Sequence, residues 1–172
     1  LLLVRAVSRG AKHSLIVADM PFLSYQPSVS TTITNAGLFI KQAGAGAVKL
    51  EGGQRIMKNI RALVDHGIPV LGHIGLTPQS VHQMSGYSIQ GKTLKDANQI
   101  IDDAKAVEEA GAFGVVLECV PEDLATKITH CLNIPTIGIG SGNTCDGQIQ
   151  VFHDIMGLSK NDAPKHAKEY NK

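Results

Sequence analysis

The sequence predicts an α/β fold on a parallel sheet, of the (β/α)8 TIM-barrel type. Three observations carry this. Short apolar runs alternate with amphipathic segments along the chain, and runs without polar alternation are the mark of strands buried on both faces. Two successive βαβα units repeat their boundary chemistry: Ala43-Gly44-Ala45 returns as Ala110-Gly111-Ala112, and Gly67-Ile68-Pro69 as Asn133-Ile134-Pro135. No Gly-x-Gly-x-x-Gly opens a helix after the first strand, and no Walker-type phosphate loop is present. The regular alternation allows a barrel or a doubly wound sheet, and the repeat favours the barrel.

The elements follow in order. Ser14-Leu15-Ile16-Val17-Ala18 is a continuous apolar run and reads as the first strand. Val29, Ile33, Leu38 and Ile40 recur at near-helical spacing up to Gly44, and this segment reads as helix although residues 28–34 have strand propensity. Ala47-Val48-Lys49-Leu50 is the second strand. Ile56, Met57, Ile60, Leu63 and Val64 form the next helical stripe, closed by Gly67 as a left-handed cap with Pro69 beyond it. Val70-Leu71 begins the third strand, and Thr77-Pro78 reads as an N-cap followed by proline at the first helical position. Residues 85–92 form the longest loop. Thr93 caps a helix whose stripe is Ala97, Ile100, Ile101, Ala104 and Val107, ending at Gly111. Gly114-Val115-Val116-Leu117 is the fourth strand, and a short helix runs from Pro121 to about Leu132. Thr136-Ile137-Gly138-Ile139 is the fifth strand and Ile149-Gln150-Val151-Phe152 the sixth.

A chain of 172 residues has the length of one domain, and residues 1–172 read as a single barrel unit. Its 43% hydrophobic and 18% charged residues are those of a soluble globular protein. A net charge of +1, without charge runs, argues against nucleic acid or a membrane surface as partner. Aromatics at 4%, with no Trp, leave no base-stacking platform. The opening Leu1-Leu2-Leu3-Val4 is too short for a signal core or a membrane span, and the absence of an initiator Met points to a longer parent chain. Cys119, Cys131 and Cys145 are odd in number and lack Cys-x-x-Cys spacing, which fits reduced thiols in a cytoplasmic protein.

Polar residues close one apolar run after another: Asp19, then Lys49 and Glu51, then His73, Glu118 and Ser141. In a (β/α)8 barrel the chemistry lies at the C-terminal strand ends, so five such ends in succession read as a site. Each residue also has a plainer explanation. Asp19 can fix a loop, Lys49 and Glu51 share a strand face and can form a structural salt bridge, and His73 can be a satisfied core histidine. Glu118 stands in an apolar setting that suits a general base, or it is held by an ion-pair partner. Cys119 reads as a small core residue, not a nucleophile. The remaining histidines show no His-x-x-x-His pairing, which excludes a multi-histidine zinc site. Two strand-end acids suit Mg2+, which takes few carboxylates and keeps waters.

At these residues the chain resembles the ketopantoate hydroxymethyltransferase family. The resemblance rests on Ala18-Asp19-Met20-Pro21-Phe22, Val48-Lys49-Leu50-Glu51-Gly52-Gly53 and the stretch from Gly72-His73-Ile74-Gly75 through Leu76-Thr77-Pro78-Gln79-Ser80. It continues in Leu117-Glu118-Cys119-Val120-Pro121, Ile137-Gly138-Ile139-Gly140-Ser141-Gly142, and Asp146-Gly147-Gln148-Ile149 with His153-Asp154. It implies a (β/α)8 barrel, Mg2+, and transfer of a one-carbon unit from the co-substrate 5,10-methylenetetrahydrofolate to 3-methyl-2-oxobutanoate in pantothenate synthesis. Carried over residue by residue, Asp19 and Glu51 are implied as metal ligands, Asp19, Lys49 and His73 as substrate contacts, and Glu118 as the catalytic proton acceptor. A homo-oligomer is implied as well.

The family carries two further βα units ahead of the point where this sequence starts, including a Gly-Asp-Ser motif with the other metal ligand. Six strands are expected here, an incomplete barrel, since a whole one needs about 250 residues. Two other readings stay open. One is another Mg2+-dependent barrel acting on 2-oxo acids, which should carry a catalytic Cys on a mobile loop, absent from residues 85–92. The other is a non-catalytic barrel fragment.

Overall fold

Among the described residues, six parallel strands pair in sequence order, β1 to β6. The computed structural model describes residues 1–83, 86–159 and 164–171. Helix α1 (Leu2–Gly10) leads into β1 (Val17–Asp19), α2 (Val29–Ala43) and β2 (Ala47–Glu51). A 3₁₀ turn (Gln54–Ile56) runs into α3 (Met57–Asp65), then β3 (Val70–Gly75) and a second 3₁₀ segment (Pro78–Gln83). Next come α4 (Leu94–Glu109), β4 (Gly114–Glu118), α5 (Glu122–Cys131), β5 (Thr136–Ile139), β6 (Gly147–Gln148) and α6 (Phe152–Ile155). The sheet curls as an incomplete α/β barrel. No described helix is long and apolar enough to cross a membrane.

Strand periodicity divides the side chains between two cores. Val48, Leu50, Val70, Ile74, Val115 and Leu117 point outward and pack under the helices in the main core. Leu71, Val116 and Ile139, with Val17 and Ile137 against them, form a small apolar floor on the concave face. The chemistry-bearing side chains stand above that floor.

Local chemistry sets most boundaries. The Ser28 hydroxyl accepts the Thr31 N–H at 3.0 Å and starts α2, which ends at Gly44 in the left-handed region at φ 73°. Helix therefore wins over the strand propensity of residues 28–34. Thr93 caps α4 through the Asp96 N–H at 3.1 Å. Gly72 faces α4 closely: a Cβ there would lie 2.4 Å from Val107 Cγ1.

Three expectations fail, each for a local reason. The first strand starts at Val17, not Ser14: Ile16 O already accepts the Gly46 and Ala47 N–H groups, while Leu15 is exposed. Thr77-Pro78 opens only a 3₁₀ segment starting at Pro78, because the backbone leaves the helical region at Ser80 with φ −108° and ψ 17°. The sixth strand is Gly147–Gln148, not 149–152. Asp146 accepts the Thr136 N–H at 2.8 Å and its hydroxyl at 3.1 Å, which pins the chain at the start of β5 and pairs Ile137 with Gly147. Phe152 then starts α6, with its side chain exposed.

Gly72→Ala should destabilise the fold by about 1–3 kcal/mol through overpacking against Val107. Combining it with Val107→Ala should cost less than the sum of the two single changes. Urea unfolding of the four proteins measures this; strict additivity would mean that α4 shifts away instead.

Candidate active site

The sheet register gathers the strand-end residues before any side chain is placed. Asp19 pairs with Lys49, Glu51 with His73, and Gly75 with Glu118. All the strands are parallel, so these residues share the C-terminal edge. Lys49 and Glu51 are two apart and face the same side.

The side chains form one polar line across β1 to β4. Lys49 Nζ lies 2.9 Å from Asp19 Oδ1, 3.7 Å from Glu51 Oε1 and 3.0 Å from His73 Nδ1. On its other side, His73 Nε2 is 3.1 Å from Glu118 Oε2 and 2.9 Å from the Leu76 carbonyl. An ammonium can only donate, so Nδ1 must accept. The hydrogen of the neutral ring then sits on Nε2 and is donated to the Leu76 carbonyl, with the Glu118 carboxylate beside it. Partners on both nitrogens leave His73, 4% exposed, satisfied on its own edge. The salt-bridge and core-histidine explanations thus describe real contacts, but contacts within one cluster.

Exposure differs sharply along this line. The Asp19 side chain is 56% exposed, so its pairing with Lys49 is screened by water and adds little to stability. The Glu51 side chain is 4% exposed, and burial raises its carboxyl above the ordinary value, partly offset by the Gln79 N–H and Lys49.

Glu118 sits where the backbone turns sharply. Cys119 after it has φ 50°, a left-handed conformation costing about 1–2 kcal/mol for a residue with a Cβ. Four hydrogen bonds hold this turn. The Glu118 carbonyl accepts from Leu76 N–H at 2.8 Å, and Cys119 N–H donates to Ile139 O at 2.9 Å. The Cys119 carbonyl accepts from Gln90 N–H at 2.8 Å, and Val120 N–H donates to Ser141 Oγ at 3.1 Å. Gly75 must be glycine here, since it has φ 84° and its Cβ would lie 2.4 Å from the Glu118 carbonyl. Ser141, the fifth strand-end polar residue, is buried and hydrogen-bonded to backbone, donating to Leu117 O at 2.8 Å. The half-buried Cys119 thiol is pushed up by burial and by the Glu118 charge, which fits a packing role and not a nucleophile.

Two cavities lie beside this edge. The smaller, ≈270 Å3, is bounded by Glu51, Phe22 and Asn59. The larger, ≈450 Å3, is lined by Gly53, Thr77, Gln90, Asp96 and Asp103 and by none of the five groups of the polar line. Arg55, Ser80 and Gln83 line both. Charge is concentrated on the polar line, and the larger cavity is adjacent space. Among the described residues, no group of three or more His, Cys, Asp and Glu could hold a metal ion. The donors at hand are the carboxylates of Asp19 and Glu51, which bracket the Lys49 ammonium. Two hard oxygen donors fit a magnesium ion that keeps most of its waters.

Sequence reasoning named every member of the polar line but missed Tyr25, which is fully buried and takes the Glu51 N–H at 3.1 Å. Nothing in the local pattern distinguishes it from an ordinary loop tyrosine.

Comparison with known proteins agrees with the motifs. Residues 1–172 match the family model described as ketopantoate hydroxymethyltransferase. The chain is 58% identical over 167 residues to a 3-methyl-2-oxobutanoate hydroxymethyltransferase of Carboxydothermus hydrogenoformans, covering 97% of this chain and 60% of that protein. It is 55% identical over 172 residues to the protein of that description from Campylobacter jejuni (strain RM1221), covering 100% of this chain and 63% of that one. The chain thus spans about three fifths of the length of these curated relatives. Among solved structures, a protein described as a phosphonomutase from Burkholderia cenocepacia J2315 superposes with a TM-score of 0.59 at 15% identity, over 80% of this chain and 59% of that one. The delta-aminolevulinic acid dehydratase of Toxoplasma gondii ME49 gives 0.53 at 15% identity, over 80% and 50%. At that identity the likeness carries the fold alone.

A carboxyl raised in the folded state binds its proton more tightly folded than unfolded. The native state therefore loses stability as pH climbs from the ordinary value of 4.5 through the raised one. Glu51→Gln removes that titration. Urea midpoints followed from about pH 4 to pH 8 should rise in the variant relative to the parent as pH increases. A gap independent of pH would show that Glu51 titrates alike in both states.

Proposed function

The chain belongs to the ketopantoate hydroxymethyltransferase family, and from that premise we propose that it carries the enolising edge of an enzyme transferring a hydroxymethyl group to 3-methyl-2-oxobutanoate. The observation behind this reading is the polar line itself: an acid, a cation, an oriented imidazole and a second acid along four strand ends. The one-carbon donor is 5,10-methylenetetrahydrofolate: the acceptor's C3 bonds to its methylene carbon, water supplies the hydroxyl, and tetrahydrofolate leaves, giving 2-dehydropantoate.

Each residue has a part that its surroundings support. Lys49 supplies positive charge where the enolate oxygen develops. Glu118 removes the C3 proton, with its carboxylate 3.1 Å from His73 Nε2 and its backbone held by the turn at Cys119. Asp19 is the most exposed of the acids, which suits a residue that meets substrate. Asp19 and Glu51 would hold magnesium, whose Lewis acidity would polarise the ketone of the 2-oxo acid. The adjoining cavities, running from Glu51 past Arg55 and Ser80, give the folate donor room beside the acceptor. We further read the protein as a cytoplasmic homo-oligomer; three free thiols fit that compartment.

Enolisation needs no donor, so it can be followed alone. In the intact protein, Glu118→Gln should slow exchange of the C3 deuteron of labelled 3-methyl-2-oxobutanoate by about 10²–10⁴-fold while the acceptor still binds. Lys49→Ala should weaken acceptor binding as well as rate. NMR measures both. Wild-type exchange in Glu118→Gln, with overall transfer lost, would assign Glu118 to the folate half of the reaction.

A further inference from the structure

Glu51 sits in a closed ring of hydrogen bonds that the reaction chemistry does not itself call for. Its backbone N–H donates to the Tyr25 hydroxyl oxygen at 3.1 Å. The Tyr25 hydroxyl donates to Gln79 Oε1 at 3.0 Å, and the Gln79 backbone N–H donates to Glu51 Oε2 at 3.0 Å. Gln79 Nε2 donates to the Met20 carbonyl at 2.8 Å, which settles the amide orientation and turns Oε1 toward the tyrosine. The Tyr25 hydroxyl has a second acceptor in the Glu51 carbonyl at 3.3 Å, so both of its acceptors belong to residues of the ring.

The ring is anchored on three sides. The Tyr25 carbonyl takes the Thr32 hydroxyl at 2.8 Å and Asn59 Nδ2 at 2.9 Å, tying the residue to α2 and α3. Met20 belongs to the loop after β1, and Gln79 to the 3₁₀ segment after β3. Burial pushes the phenol up to about 12, so it stays a protonated donor. With no exposed surface, Tyr25 cannot meet a substrate. A glutamate at a strand end would otherwise sample several rotamers. Here one oxygen is committed to Gln79, and the other stands 3.7 Å from Lys49 Nζ on the side of Asp19.

We propose that Tyr25 and Gln79 are positioning residues for Glu51, holding Oε2 so that Oε1 is presented to a divalent cation at the Asp19–Lys49 edge. This rests on the reading of Glu51 as a metal ligand.

Mn2+, a paramagnetic stand-in for magnesium, provides a readout separate from turnover. In the intact protein, Tyr25→Phe removes one oxygen and should weaken Mn2+ binding by about 10- to 100-fold, the usual cost of losing a group that orients a metal ligand. Electron paramagnetic resonance of free Mn2+ measures it. Gln79→Ala keeps the N–H on Glu51 Oε2 but cuts that segment loose from Met20 and Tyr25, so it should act in the same direction. Being only half-buried, it serves if Tyr25→Phe does not fold. In a Glu51→Gln background neither change should weaken binding further. Wild-type affinity in both variants, with Glu51→Gln weakened, overturns the positioning role and leaves Glu51 as a ligand. Wild-type affinity in Glu51→Gln itself overturns the ligand reading. Full additional losses in the Glu51→Gln background would show general loosening, and that too overturns positioning.

Discussion

One ammonium group inside the second strand organises the whole C-terminal edge. Its neighbours Val48 and Leu50 point outward into the helix layer, which forces Lys49 onto the concave face. A charge so placed needs partners, and Lys49 takes them from three strands: Asp19, Glu51 and His73. It offsets the buried charge of Glu51. By donating to Nδ1 it also sets the imidazole tautomer, which puts the ring hydrogen on Nε2, bonded to the Leu76 carbonyl beside Glu118. Without Lys49, Asp19 and Glu118 would be two unrelated carboxylates on strands separated by two others.

The far end of this line depends on backbone more than on charge. Glu118 is followed by a left-handed residue, and that strain is offset by hydrogen bonds from β3, β5 and the loop before α4. Gly75 and Ser141 belong to the same arrangement, one by lacking a Cβ and the other by giving its hydroxyl to the backbone. Such conformations concentrate where a side chain must be held in one direction. The turn therefore ties the aim of Glu118 to the closure of β3 and β5 around β4.

What the sequence made legible is what a short window can encode. Thr93, Gly44 and Gly67 announce helix ends because a cap needs only neighbouring backbone, whereas Ser28 is hidden in a strand-prone stretch. Lys49 and Glu118 stand out because charge at the end of an apolar run is unusual whatever the fold. Features set by distant partners stayed hidden. Helix α1 carries Leu2, Leu3 and Val7 exposed and is joined to α2 by Arg5 and Ser8, so its apolar pattern does not report the face it docks with. The place of β6 follows from Asp146 reaching back to Thr136. Tyr25 matters only because three separate elements meet around it.

Asp146 and Glu51 give folding itself a proton stoichiometry. Hydrogen bonds from Thr136 hold the Asp146 carboxyl below its ordinary 3.8, while burial holds that of Glu51 above its ordinary 4.5. Chains folding in acid just below 3.8 release a proton at the β5 corner; those folding just above 4.5 take one up at the end of β2. The first exchange makes the β6 corner a region that acid loosens. The second makes the strand-end edge one that acid tightens, so a single acidification would pull the two flanks of the sheet in opposite thermodynamic directions.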